Sequence, residues 1–418
     1  MAPELPQPKP GRSAAQQFVA DHLGHLAAGP LEGSATISGG QSNADAALAA
    51  FDVSRYASTR NEVWPANRQG ASRLSPYIRH GLLQLSQVWH AVEGGPQRDV
   101  AKFRDELMWQ EFARHWYGRR GRTTKLRSRT KLDASVDPDA VWDRSMACIE
   151  LGVDGLMNEG WVINQQRMWL ASHWAVRQPL PWQIGEDVFF RHLLDGSRAA
   201  NRLGWQWTAG VSSSKPYGFS RWQVNKRAPG LCEQCVHRDD CPIEDWPDDT
   251  APRRRVIDPG LDDETEPEDW AGPRRRVVTG PPDFVWLTAE SLGTSDPALV
   301  GRPDLPSIFV FDEPLLAHLQ LSAKRLIFLV ETLAELANDR DLTVMLGDPV
   351  DVLSGSHVAT TYAPVPGFRA ISRQIQPVEM HPWPWLCAPS ARSIASFSAW
   401  RRTAKPSPSR DAVADERD

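Results

Sequence analysis

Between Ala44 and Arg227 apolar residues recur three and four apart and rarely alternate, as in FRDELMWQEFARHW and NQQRMWLASHWAV. That period lines one face of a helix, whereas a half-buried strand needs a period of two. β-Branched alternation is scarce, so an all-α domain is predicted, bounded at 36–245 and preceded by a flexible tail over 1–35. After Pro282 the texture changes. VWL (285–287), IFVF (308–311) and LTVML (342–346) read as short buried strands, with SAKRLIFLVETLAELAND (322–339) as an amphipathic helix between two of them. ATTYAPV (359–365) and PVEMHPW (377–383) add two candidate strands. Strand, helix and strand in succession predict a smaller, Rossmann-like parallel α/β domain over 283–390. The near-duplicated EDWPDDTAPRRRV and EDWAGPRRRV, rich in proline and both charge signs, mark a linker over 246–282. Residues 391–418 read as a disordered polar tail.

No run of about 18 apolar residues occurs, so no membrane span is expected. The N-terminus is polar and proline-rich without an apolar stretch, which does not read as a secretory signal. A cytoplasmic protein is the expectation. Net charge is −5, so the molecule as a whole is not a basic nucleic-acid binder. Its charges are unevenly spread, however. Arg114 to Lys131, RHWYGRRGRTTKLRSRTK, carries eight Lys or Arg and no acid. That run reads either as a solvated loop or as a patch that tracks phosphates.

Two residue types are concentrated. Twelve of the 18 tryptophans lie between Trp64 and Trp222. Most such residues fill cores, yet this density also suits stacking or electron transfer. Three of the five cysteines, Cys232, Cys235 and Cys241, fall in LCEQCVHRDDCP. Clustered thiols in a chain without a disulfide framework suggest a metal site, which wants four ligands.

Four stretches appear in one order and spacing: ASRLSPYIRHGLL (71–83), ELMWQEFARHW (106–116), EGWVINQQRM (159–168), and the run from Trp182 through LLDGSRAANRLGWQW. Together, over roughly residues 40–227, they resemble the helical FAD-binding domain of the cryptochrome/photolyase family. The resemblance implies that Tyr56, Ser72, Leu74, Ser75, Arg167, Asp195 and Asn201 bind FAD. Among them Ser72, Leu74 and Ser75 match the diphosphate loop, Arg167 and Asp195 flank the flavin ring, and Asn201 faces flavin N5. Ser197 stands where many members carry a second aspartate, and Ala71 where many carry threonine. Trp205 and Trp182 match the inner members of the family's electron-transfer chain, with Trp142 and Trp174 as candidates for the outer one. Glu106, Trp109, Asn164, Met168 and Trp207 match the pocket for a flipped-out pyrimidine dimer, where aromatic stacking, an acid and an amide suit an extruded base. Gln165 replaces an arginine of that pocket.

One bacterial branch of the family carries a [4Fe-4S] cluster just after this domain. KPYGFSRWQVNKR followed by Cys232, Cys235 and Cys241-Pro242 resembles that branch, which implies Cys148 as the fourth ligand. Cys387 competes for that role, and zinc held with His237 is the alternative metal. The α/β segment resembles the family's antenna domain in permuted order. It carries no G-x-G-x-x-G or P-loop, and nothing in it assigns an antenna chromophore. The implied function is light-driven splitting of cyclobutane pyrimidine dimers in damaged DNA, with Arg221 joining the basic run on phosphates. The alternative is a cryptochrome-like photoreceptor without repair activity. A monomer is the expected state.

Overall fold

The computed structural model describes residues 3–125, 130–132, 140–212, 215–246, 253–255, 269–390 and 394–408. Among these, seven strands form the main sheet: β1 (Glu4–Leu5), β2 (Val277–Val278), β3 (Phe284–Leu287), β4 (Ser307–Asp312), β5 (Leu342–Gly347), β6 (Val358–Thr361) and β7 (Glu379–His381). Their spatial order is β1-β5-β4-β3-β6-β7-β2. The inner five strands are parallel, with Leu287 opposite Phe309 and Phe309 opposite Val344. The two-residue edges β1 and β2 run antiparallel to them. Continuous apolar runs such as IFVF bury both faces of a strand, which a parallel sheet requires. Strand order reverses between β3 and β6, and such a switch point opens a crevice at the carboxyl ends of the strands.

The helices that matter for the site are α1 (Arg12–Phe18), α2 (Ser75–Arg79), α3 (Gln97–Arg120), α4 (Ala147–Asp154), α5 (Asn164–Ser172), α6 (Trp182–His192), α7 (Ala200–Thr208), α8 (Ala323–Asp339) and α9 (Phe397–Arg401). Helix α3 ends where Gly121 takes φ 54°, a region open to glycine, with Arg119 and Arg120 in its last turn. A short ladder pairs Thr130–Leu132 with Arg253–Arg255, so the helical part is not purely α.

Packing does not respect the expected boundary at 282/283. One core joins Leu107, Met108 and Phe112 of α3 to Val285, Phe309 and Phe328 of the α/β segment. A second core lies wholly in the helical part, around Leu170, Trp174, Phe189 and Trp205. A third covers the other face of the sheet with Trp286, Tyr362 and Phe368.

Three expectations of loose chain are corrected. Within 1–35, β1 caps the sheet and α1 packs on α8, because Ala15, Phe18, Val19 and Leu23 share a face and are buried. Arg12 of α1 also pairs with Glu331 at 2.5 Å. In the linker, Trp270 is buried beside Gly118 and Val277–Val278 becomes an edge strand; 247–252 and 256–268 lie outside the described residues. In the C-terminal tail, α9 docks through buried Trp400, while 391–393 and 409–418 lie outside the described residues.

Phe328 is the hinge of the shared core. It is 1% exposed and faces the rings of Tyr77 (5.9 Å) and His80 (5.2 Å). Its carbonyl lies so close to Gly39 that a side chain there would collide with it. Phe328→Ala is expected to lower the unfolding free energy by about 3–5 kcal/mol. Urea denaturation would measure this, and a loss below about 1 kcal/mol would mean the two parts do not share a core.

Candidate functional site

A cavity of about 1300 Å³ lies between the helical part and the carboxyl ends of the strands. Helices α3, α5 and α7 form its walls, while Glu290 after β3 and Pro364 to Gly367 after β6 close one side. Helix α5 presents Asn164, Arg167 and Met168, three and four residues apart and hence on one face. Helix α3 presents Glu106 and Trp109 in the same way. From α7 come Asn201, Trp205 and Trp207, and Tyr56, Ser72, Ser75 and Asp195 complete the expected set on the wall. Leu74 and Trp182 are buried outside the wall.

The loop carrying Asp195 is held from several directions. Arg167 donates from Nη2 to Asp195 Oδ2 (2.8 Å) and from Nε to the Val162 carbonyl (2.7 Å). The Leu194 amide donates to the Gly160 carbonyl (2.8 Å). The Gly196 carbonyl accepts from Arg79 Nε (3.0 Å) and Arg325 Nη2 (3.2 Å). Arg325 comes from α8 and also bonds the Phe190 carbonyl. Burial and neighbouring Arg79 pull its guanidinium down to about 9. His80 lies between the carbonyls of Ala289 (2.7 Å) and Leu194 (3.2 Å). Burial, then Arg79 and Arg325, push its ring down to about 3, so it stays neutral and donates to one carbonyl at a time. Sequence reasoning missed Arg79, His80 and Arg325. None carries a local signal, since Arg325 meets its partner 129 residues away.

Buried polar atoms on the cavity lining that lack a partner among the described residues include Asp195 Oδ1, Asn201 Nδ2 and Trp205 Nε1. Buried polar groups are ordinarily satisfied, so orphans along one wall point to a polar ligand. Trp205 of α7 packs against α6, where Gly185 leaves room for its ring. From Trp205, ring contacts lead to Phe189 (5.0 Å), then Trp142 (6.1 Å), then Trp174 (4.8 Å). Trp174 in turn donates to the carbonyl of Pro181, next to Trp182.

Also on the cavity lining, Glu106 bonds Lys102 (2.8 Å) and Arg60 (3.2 Å). Trp207 is 44% exposed and tilts against Tyr217 at 5.4 Å. Trp109 is 40% exposed and stacks on Phe397 of α9. Gln165 turns away, donating to the Tyr217 hydroxyl (2.9 Å) in a buried network rather than replacing a pocket arginine.

The basic run is divided. Arg114 bonds the Ile78 carbonyl (3.1 Å) and lies over Trp383, and Arg119 is buried over Trp270, so neither belongs to a solvated loop. Arg122 and Lys125 reach the cavity, Lys125 pairing with Asp187 at 3.4 Å. Residues 126–129 lie outside the described residues. Arg221 is bonded to Glu244 at 2.9 Å.

The remaining motif forms a small separate cavity lined by Cys148, Cys232, Cys235, Cys241 and His237. All four thiols are free. Burial, followed by the other three cysteines, drives the Cys148 thiol up to about 12. As placed, no group of three or more Cys, His, Asp or Glu among the described residues is close enough to hold a metal ion. Cys387 lies elsewhere, its amide on Glu111 (2.9 Å) and its sulfur on Met108 (3.7 Å), which removes it as a ligand.

With this geometry in place, comparison with known proteins is informative. The family described as the FAD binding domain of DNA photolyase matches residues 103–227. Residues 103–227 are thus similar to that family's FAD-binding domain. The deoxyribodipyrimidine photo-lyase of Thermus thermophilus is 32% identical over 196 residues, covering 43% of this chain and 44% of that protein. That of Alkalihalophilus pseudofirmus is 31% identical over 159 residues, covering 35% and 33%. The crystal structure of a bacterial class III photolyase from Agrobacterium tumefaciens shares 24% identity, with a TM-score of 0.40 over 52% of this chain and 46% of that one. The chain therefore spans under half the length of these relatives. The residues present suit the domain's cofactor, since the orphaned polar atoms and the Arg167–Asp195 pair share one wall of a large cavity.

The clamp on Gly196 is testable. Arg325→Met should weaken FAD affinity about tenfold, from the loss of charged hydrogen bonds that position Asp195. Equilibrium dialysis against FAD would read it, and unchanged affinity would show that the loop holds itself.

Proposed function

We propose that the protein splits cyclobutane pyrimidine dimers in damaged DNA under light. The observation that carries this is one cavity lined by both the expected flavin residues and the expected base-stacking residues. Bound and reduced, FAD would supply a light-driven electron to the dimer and take it back once the ring has opened, with no net redox change. The chain's own residues bind and orient. Arg167 and Asp195 hold each other at the flavin wall, and the Asn201 amide nitrogen is free to donate there. Trp109 and Trp207 offer flat apolar faces to an extruded base, while Met168 fills the apolar gap beside them. Glu106, fixed by Lys102 and Arg60, supplies an acceptor for base N–H groups. Arg122 and Lys125 add positive charge for the backbone phosphates. Trp205, Phe189, Trp142 and Trp174 offer an aromatic path from the cavity, and Trp182 remains a candidate member through its place beside Pro181.

The test uses photoreduced, FAD-loaded protein and an oligonucleotide with a single cyclobutane dimer, in blue light and in darkness. Light-dependent loss of the dimer is expected, with Glu106→Ala and Trp109→Ala each weakening dimer binding at least tenfold. No repair by flavin-loaded, reduced protein would reject the reading. A photoreceptor without repair is the second reading, favoured by one observation: Phe397 already covers Trp109.

We further propose that Cys148, Cys232, Cys235 and Cys241 hold a [4Fe-4S] cluster, with zinc as the alternative. Four thiols lining one small cavity are the donors a cluster takes, although as placed they are not close enough to close on a single metal ion. The cluster would tie α4 to the segment after Arg227. Anaerobic purification is expected to give iron and acid-labile sulfide in equal amounts, both lost in Cys232→Ser. Zinc without sulfide would reassign the metal, and neither would remove the site.

A further inference from the structure

Phe397 and Trp109 stack face to face, with ring centroids 3.7 Å apart and planes 14° from parallel. Aromatic side chains ordinarily prefer offset or edge-on contact at longer separation. Full overlap at this distance is how a base lies on an indole. Phe397 lines the cavity together with Ala395, Ser396 and Ser398, so its ring stands in the space that Trp109 borders. We propose that the segment Ser396–Trp400 is an internal competitor for the base-stacking face of Trp109, which nucleic acid must displace to bind. The proposal rests on the assignment of Trp109 as a stacking residue of the pocket.

The way the segment is attached supports release. Helix α9 has five residues, too few to be stable alone. It is capped by Ser396, whose hydroxyl accepts from the Ala399 amide at 3.1 Å. Its buried anchor is Trp400, packed on Phe112 (5.5 Å) and His115 (5.3 Å) on the far side of α3 from solvent. Beyond Trp400, Arg401 reaches Asp105 at only 3.8 Å, both half-exposed, and such a pair adds little. Phe397 itself is only partly buried, meeting Phe112 edge-on at 5.7 Å and Trp400 at 6.2 Å. The anchor and the covering ring are thus different residues. The ring can leave Trp109 while Trp400 stays docked, and a base stacking in its place replaces like with like.

The discriminating experiment measures binding of a short single-stranded oligonucleotide carrying one thymine dimer to the full chain, in darkness. Phe397→Ala should bind about three- to tenfold more tightly than the unaltered protein, the range expected from removing one stacked aromatic pair. Phe397→Trp, which keeps a covering ring, should show no gain. Melting temperatures of both variants verify folding, and Phe397→Leu serves if the alanine variant does not fold. Equal affinity in the Phe397→Ala and unaltered proteins, lost in Trp109→Ala, would overturn the competitor and leave the pocket assignment standing. Weaker binding by Phe397→Ala would also overturn it, making Phe397 a contact for the base. No binding by any of these proteins would overturn the pocket assignment and the competitor together.

Discussion

Helix α8 is buried around most of its circumference, from Ala323 through Ala334 and at Leu336. A helix of that kind must be covered on every side. The sheet covers one side, the N-terminal helix α1 a second, and the residues around Tyr77 and His80 a third. That single requirement welds chain segments hundreds of residues apart into one core. It also carries Lys324 and Arg325 inward at the start of the helix, where apolar residues would otherwise be expected. Arg325 then finds its acceptors on the loop that holds Asp195. Geometry at the cavity therefore depends on packing far from it.

Arrangement around the cavity follows a consistent division of labour. Helical periodicity sets which residues of α3, α5 and α7 face inward, since residues three and four apart share a face. Loops contribute fewer groups, but they are clamped: Arg79, Arg325 and His80 converge on the two carbonyls that flank Asp195, those of Leu194 and Gly196. Rigid support of this kind keeps Asp195 and its Arg167 partner aligned. Polar atoms left over on that wall are the ones a ligand would satisfy.

The C-terminal segment joins these two themes. Trp400 packs into the shared core, while Phe397, three residues earlier, reaches over the open side of the cavity. One turn of helix thus links the stability of the fold to access to the pocket. The cysteine motif stands apart, at the edge of a core built only from the helical part.

Much of this was legible in the linear chain. Apolar period distinguished the helices from the strands, and β3, β4 and β5 fall within a residue of the runs that marked them. The same period placed Glu106 with Trp109, and Asn164 with Arg167 and Met168, on single faces. Those are short-range consequences of backbone geometry, so they can be read without knowing the fold. Composition misled where apolar residues were few: Ala15, Phe18 and Val19 sit in a stretch that looks polar, as does Trp400. Such segments order only because a complementary surface exists elsewhere, and no local pattern reports that surface. For the same reason the sequence alone could not turn Gln165 away from the pocket, bury Arg114, pair Arg325 with Gly196 or lay Phe397 on Trp109. Each depends on which distant element arrives at the contact, and only tertiary packing decides that.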